Sequence, residues 1–206
     1  MAKPFELIVT DGTNRFEEVI DRARSNLAHI KNGFAAAVSR SMNRAATSGR
    51  AAAITTIRED FYVKAGVVRK HFGIEKATRE SLETVVSVRG SPLAVDAFLV
   101  RPRHDTTGRN RKPVRIAIKR GSAAKPISRA FIHKGRVLRR LGKSSKPLKA
   151  VYGPAVPMMA DTEKVRDRAT EALNTTFIKR LDHEVDRVLL KGVETGNQSN
   201  DRSASL

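Results

Sequence analysis

The first eighty residues of the chain carry apolar positions at helical spacing. Residues 14–32 predict a helix, because a capping-box-like start precedes apolar residues three or four positions apart. This stripe consists of Phe16, Val19, Ile20, Ala23, Leu27 and Ile30. A second helix with an alanine-rich face is predicted from residue 34 to about 47, continuing over 50–59 after an interruption at Ser48-Gly49. A short strand is predicted before the helices, at residues 5–10.

From about residue 82 the pattern changes to short β-prone runs separated by Gly, Pro and basic residues. Residues 114–119 alternate between apolar and basic, which predicts a half-buried strand with a basic outer face. The predicted inward positions are Val114, Ile116 and Ile118, and the outward positions are Arg115, Ala117 and Lys119. Lys134-Gly135 lies between two β-prone runs and predicts a hairpin. We therefore expect a small antiparallel sheet of four to five strands in the middle of the chain.

One long helix is predicted from about residue 161 to 191. Its apolar positions lie four to eight residues apart and predict a stripe that faces the core or a neighbouring subunit. The candidates are Val165, Leu173, Phe177 and Leu181. Residues 193–206 lack apolar content and are predicted to be a disordered tail. The order of helices, strands and helix predicts one α+β domain over 1–192, with a helical part at about 12–80 and a β part at about 82–153.

Composition excludes several classes of protein. The 206 residues contain no Cys, which excludes disulfide scaffolds, thiolate metal sites and cysteine nucleophiles. No apolar run approaches the roughly 20 residues of a membrane span, and the first residues carry no apolar signal segment, so we expect no membrane and no export. The five His are scattered, and neither a phosphate-binding glycine loop nor a serine nucleophile motif is present. We therefore predict no enzymatic activity, no cofactor and no metal.

Positive charge is concentrated in one quarter of the chain. The net charge is +19, and residues 101–150 hold 17 Lys and Arg against one acid, Asp105. This concentration costs self-repulsion that a polyanion or an acidic protein surface would relieve, whereas the alternative is a solvated basic face that only confers solubility. Phe131 is the one aromatic residue of this quarter, so contact with nucleic acid is expected through the backbone. The candidate contact residues are Arg109, Arg111, Lys112, Arg115, Lys119, Arg120, Arg136, Arg139 and Arg140.

Several motifs occur in an order that resembles one known family. They are the small-residue stretch from Ala35-Ala36-Ala37 to Asn43-Arg44-Ala45-Ala46, then Val67-Val68-Arg69-Lys70, Arg129-Ala130-Phe131-Ile132, and Gly153-Pro154-Ala155-Val156-Pro157 before the long helix. Over roughly residues 30–185, this order resembles the prophage minor tail protein Z family, the tail-completion proteins of lambda-like long-tailed phages.

The resemblance implies a non-enzymatic virion protein, made in the host cytoplasm, that acts at the head-proximal end of the tail. It implies partners among the tail and neck proteins and a homo-oligomeric ring near the DNA path. The basic segment adds the expectation of contact either with phage DNA, without sequence specificity, or with acidic tail proteins. The resemblance supplies no active-site residues for this chain.

A second interpretation is a DNA-binding protein outside the virion. It would use the basic segment 101–150 or a helix-turn-helix-like element at 62–78, where a short helix, a glycine and basic residues follow one another. The simpler interpretation of that element is a connecting helix packed by Val63, Val67 and Phe72. A ring-forming protein bound to particles favours the tail interpretation, and sequence-selective binding by a free monomer or dimer favours the other.

Overall fold

A computed structural model describes residues 14–106, 112–142, 144 and 146–203, and the strand predicted at residues 5–10 lies outside them. The chain divides into two compact units. We call residues 14–52, 74–87 and 167–203 the helical unit, and residues 53–73 and 88–166 the β unit. Whether the two unfold together, as expected for one domain over 1–192, stays a prediction.

Helices lie near both ends of the described chain, and short strands lie between them. The helices are α1 (Asn14–Asn26), α2 (Gly33–Asp60), α3 (Ala65–Arg69), α4 (Val156–Ala160) and α5 (Glu163–Ser203). The strands are β1 (Phe72–Glu75), β2 (Val85–Val88), β3 (Pro92–Ala94), β4 (Leu99–Arg101), β5 (Arg115–Ala117), β6 (Lys125–Pro126), β7 (Ala130–His133), β8 (Arg136–Arg140), β9 (Leu148–Ala150) and β10 (Tyr152–Ala155). The predicted α+β class is confirmed. Among the helices that the structure describes, none combines the length and apolar character of a membrane span.

Helices α2 and α5 pack antiparallel in the helical unit. Arg40 near the start of α2 lies 3.3 Å from the carboxylate of Glu184 in the middle of α5, and the hydroxyls of Ser48 and Thr176 are hydrogen-bonded at 2.8 Å. Just beyond the Ser48 contact Gly49 comes close to α5, because a Cβ at this position would lie 3.1 Å from the carbonyl oxygen of Ala169.

Helix α2 is continuous, so the interruption predicted at Ser48-Gly49 is wrong. Glycine in a helix interior costs about 1 kcal/mol relative to alanine, but here its missing side chain admits the backbone of α5. Helix α1 ends at Asn26, earlier than predicted, and turns lead from there to α2.

The apolar stripe of α5 is buried within the chain. Val165, Leu173, Phe177 and Leu181 are at most 2% exposed. Positions four residues apart in a helix advance by about 40° beyond one full turn, so the stripe turns through roughly 160° from Val165 to Leu181. It therefore winds around α5, and Val165 falls in the β unit while the other three fall in the helical unit.

The last helix runs to Ser203, beyond the predicted end at about Lys191. Gly192 and Gly196 lie inside it, which a helix tolerates at a cost of about 1 kcal/mol each relative to alanine. The proposal that residues 193–206 form a dispensable tail stays a prediction.

The strands form several small sheets instead of a single one. Strand β1 pairs with β2, β10 pairs with β3, and the orders β4-β5-β6 and β7-β8-β9 form two three-stranded sheets. The pairings within these three-stranded sheets are antiparallel. One buried aliphatic cluster of the β unit consists of Val95, Val114, Ile132 and Val137.

The hairpin predicted at Lys134-Gly135 is confirmed. Strands β7 and β8 pair in register up to His133 and Arg136, and the two loop residues have φ angles of 49° and 73°. Positive φ at both positions is the requirement of a tight two-residue turn whose twist matches that of the strands.

The segment 62–78 contains no helix-turn-helix. Helix α3 has five residues, and strand β1 follows it where a recognition helix would have to begin. Val63, Val68 and Phe72 are buried, whereas Val67, which was predicted to pack, is half-buried. This part of the alternative interpretation is therefore wrong.

Candidate anion-binding surface

The predicted contact residues that the structure describes all lie in the β unit, and Arg109 and Arg111 lie outside the described residues. Apart from Arg120, whose structural contacts are described below, five are exposed and form no ion pair with another described residue: Lys112, Arg115, Lys119, Arg136 and Arg139. We call these residues the five exposed cations. Their charges are available to a partner.

Strand register brings like charges together in both three-stranded sheets. Arg101 lies directly opposite Arg115 in the β4–β5 pair, and Arg139 lies opposite Lys149 in the β8–β9 pair. Directly opposed residues project from the same face with Cβ atoms about 4.5–5.5 Å apart, and like charges there repel. An anion that bridges two such side chains would replace this repulsion with attraction.

The predicted basic face of the strand at 114–119 is only partly realised. Arg115 and Lys119 are exposed and Val114 is fully buried, but Ala117 on the predicted outer face is 4% exposed. Arg115 and Lys119 therefore do not belong to one continuous exposed face, because the buried Ala117 lies between them in the sequence.

The three arginines of strand β8 do not share one face. Arg136 and Arg140 project on one side and Arg139 on the other, since successive side chains alternate. The Arg140 guanidinium lies 5.0 Å from the centre of the Phe131 ring, and its buried Nε has no hydrogen-bond partner among the described residues. Arg140 is thus a packing residue, and the buried Phe131 ring does not present a stacking platform for bases.

Arg120 has a structural role that the sequence did not indicate. Its Nε donates to the carbonyl of Arg58 at 2.7 Å, its backbone N–H donates to the carbonyl of Asp60 at 2.8 Å, and its guanidinium lies 4.9 Å from the centre of the Tyr62 ring. The last carbonyls of a helix lack partners within the helix. Arg120 therefore satisfies the end of α2, a contact between residues 62 positions apart that no local pattern reveals.

The one acid of the basic quarter is engaged in the hairpin turn. The Asp105 carboxylate accepts hydrogen bonds from the backbone N–H groups of Lys134 at 3.0 Å and Gly135 at 3.3 Å. These bonds hold the pKa of Asp105 below its ordinary value, because they favour the charged form. Next to it, the Thr106 hydroxyl accepts the backbone N–H of Ile132 at 2.8 Å. Asp105 therefore fixes the turn between β7 and β8.

Within the described part of the chain, no three His, Asp or Glu side chains are grouped so that they could hold a metal ion. The described surface of the β unit thus offers fixed positive charge on short strands, a chemistry suited to binding anions.

Comparison with known proteins supplies the context for this surface. The curated proteins and the solved structures return no match to the chain. A family model described as prophage minor tail protein Z (GPZ) matches residues 19–193, a range that takes in parts of both units. The chain therefore belongs to the prophage minor tail protein Z family.

Proposed function

We propose that this protein is a non-enzymatic component of a phage tail that forms a homo-oligomeric ring at the head-proximal end, where its five exposed cations bind backbone phosphates of phage DNA. Family membership makes it a structural protein of the tail with other tail proteins as partners. The head-proximal position, the ring and the DNA contact are the proposal.

The opposed pair of Arg101 and Arg115 is the observation that carries the DNA contact. The strand register places these two arginines directly opposite each other, and neither has a carboxylate partner among the described residues. Guanidinium groups are well suited to bind phosphate oxygens. The burial of Phe131 favours backbone contact over base stacking. Binding is accordingly expected to be non-specific and strongly dependent on salt.

A charge-removal variant tests the contact. The full-length variant carries Lys112→Gln, Arg115→Gln, Arg136→Gln and Arg139→Gln, and its control removes the same charge from exposed positions of the helical unit through Arg22→Gln, Lys31→Gln, Lys76→Gln and Arg79→Gln. We expect the first variant to lower the dependence of duplex affinity on salt by about one logarithmic unit per lost phosphate contact. The control should keep both its affinity and its salt dependence.

Tail joining in infected cells gives a second readout. If the first variant binds DNA normally but fails to join its tail partner, the five exposed cations dock an acidic protein and the DNA contact is wrong. If it binds, assembles and infects as the wild type does, these charges serve only solubility.

The ring is tested by mass. Native mass spectrometry of the isolated protein is expected to give multiples of 22.7 kDa, and cross-linking within purified particles should join copies of this chain to one another and to proteins at the head-proximal end. A monomer in both preparations, or cross-links only to the distal tail, would contradict the proposed assembly.

A further inference from the structure

A second positively charged site lies wholly within the helical unit, in a cleft of about 550 Å³ between α2 and α5. Its cations are Arg44 from α2 and Lys179 and Arg180 from α5. Among the described residues, none of the five exposed cations lines it, and neither does Arg120 or Arg140.

The helix sequences explain why a polar cleft forms here. Arg44, Thr47, Ser48 and Ala51 are spaced as one face of α2, next to the small residues that pack against α5. The helices meet closely at Gly49, and the hydrogen bond between Ser48 and Thr176 connects them beside that contact. The longer cationic side chains therefore extend around a hydroxyl-lined cleft and do not enter the packed contact.

The positive charge of the cleft is local. Residues of the helical unit carry 15 Lys and Arg against 13 Asp and Glu, yet no described acid lines the cleft. Arg44, Lys179 and Arg180 form no ion pair with another described residue, whereas Arg40 on the same helix pair binds Glu184 at 3.3 Å. Three unpaired cations in an otherwise balanced unit indicate a site for negatively charged groups.

We propose that this cleft binds an acidic peptide segment of a neighbouring tail protein. Its volume lies in the range of pockets that bind small groups, which suits a few carboxylate side chains of a peptide. Arginine and hydroxyl groups both donate to carboxylate oxygens. The partner class rests on family membership, which brings other tail proteins into contact with this chain, and it does not depend on the proposed DNA contact.

The absence of cysteine from the sequence allows a reporter confined to the cleft. In the full-length variant Ala51→Cys, the thiol lies at the cleft, and the control Ala28→Cys places one on an exposed turn of the same unit. The rate of alkylation by N-ethylmaleimide is then measured with increasing concentrations of a peptide of alternating Glu and Ser. We expect the peptide to protect Cys at position 51 in a saturable manner and to leave the control thiol unprotected.

Charge removal identifies the groups responsible. When Arg44→Gln, Lys179→Gln and Arg180→Gln are combined with Ala51→Cys, the Kd for peptide protection is expected to rise roughly tenfold. The matched control combines Arg22→Gln, Lys76→Gln and Arg79→Gln with Ala51→Cys and should leave the Kd unchanged. The four-residue variant of the β unit should also leave it unchanged, which separates this site from the proposed DNA contact. The proposal is overturned if the peptide gives no protection, or if protection survives the loss of the three cleft cations. It is also overturned if a single-stranded oligonucleotide of equal charge protects the thiol more strongly than the peptide does.

Discussion

The two units of the chain differ in their balance of charge. The helical unit carries 15 basic against 13 acidic residues and buries large side chains such as Leu27, Leu173 and Phe177. The β unit carries 24 basic against six acidic residues, and it too buries large side chains, such as Ile57 and Met159. The two units therefore differ in their excess of positive charge and not in whether large side chains are buried.

This difference indicates a division of roles. Substitutions in the helical unit are expected to act mainly through packing, while most surface substitutions in the β unit should act through binding. Arg120 and Arg140 are exceptions, because these two cations of the β unit have structural contacts.

The largest expected effect is the loss of Phe177. This side chain is 2% exposed, and Phe177→Ala should lower the free energy of unfolding by about 3–5 kcal/mol, since it removes buried surface and leaves a cavity. Chemical denaturation measures the change. Leu190→Ala, at a position 67% exposed, is the control and should change stability by less than about 0.5 kcal/mol. An unchanged melting temperature for Phe177→Ala would contradict the packing role of the helical unit.

Substitution of two arginines of the β unit, five positions apart in the sequence, should change the free energy of unfolding in opposite directions. Arg120→Gln is expected to lower the free energy of unfolding by about 1–2 kcal/mol, because it removes a charged hydrogen bond and a cation–π contact. Arg115→Gln should raise it by a few tenths of a kcal/mol at low salt, because it relieves repulsion with Arg101. Urea denaturation at two salt concentrations compares them. Equal losses for both variants would show that Arg115 is as structural as Arg120.

Acid should weaken the hairpin turn of the β unit through Asp105. The lowered pKa means that its contribution to stability is complete above the ordinary value of 3.8 and is lost as the pH falls below it. The advantage of the wild type over Asp105→Asn in thermal denaturation should therefore be full at pH 6 and shrink in strong acid. A difference that stays constant over this range would rule out the turn hydrogen bonds as its cause.

The smallest effect is expected from deletion of residues 193–206. These residues carry few apolar groups to offset an ordering cost of roughly 1–2 kcal/mol per residue, so the free energy of unfolding should change little. Strong hydrogen-exchange protection there in the isolated protein would contradict this, whereas protection only in assembled particles would indicate a tail that folds against a partner.

Local patterns were sufficient for the features that depend on neighbouring residues. Helical periodicity predicted the helix from about 161, and Lys134-Gly135 predicted the hairpin, because each signal lies within a few residues of the structure it specifies. The α+β order followed from these elements.

Features that depend on distant residues were not predictable. Gly49 resembled a helix break in the sequence, but its place in α2 is explained by α5, whose residues follow 120 positions later. Strands of three residues carry too little alternation to show that they form separate sheets. The cleft cations come from two helices, and only their packing shows that Arg44 shares a cleft with Lys179 and Arg180.

The edge strands of the small sheets have a consequence for aggregation. The outermost strands are very short and carry basic residues beside prolines: β6 is Lys125-Pro126, β4 ends at Arg101 before Pro102, and β9 follows Pro147 and contains Lys149. Open strand edges invite pairing with another chain, and proline, positive charge and short length all oppose it. Thr106 covers part of the remaining edge at β7 through its two hydrogen bonds with Ile132. At the edges of the two three-stranded sheets, these features oppose the joining of copies of this chain into open-ended β-aggregates.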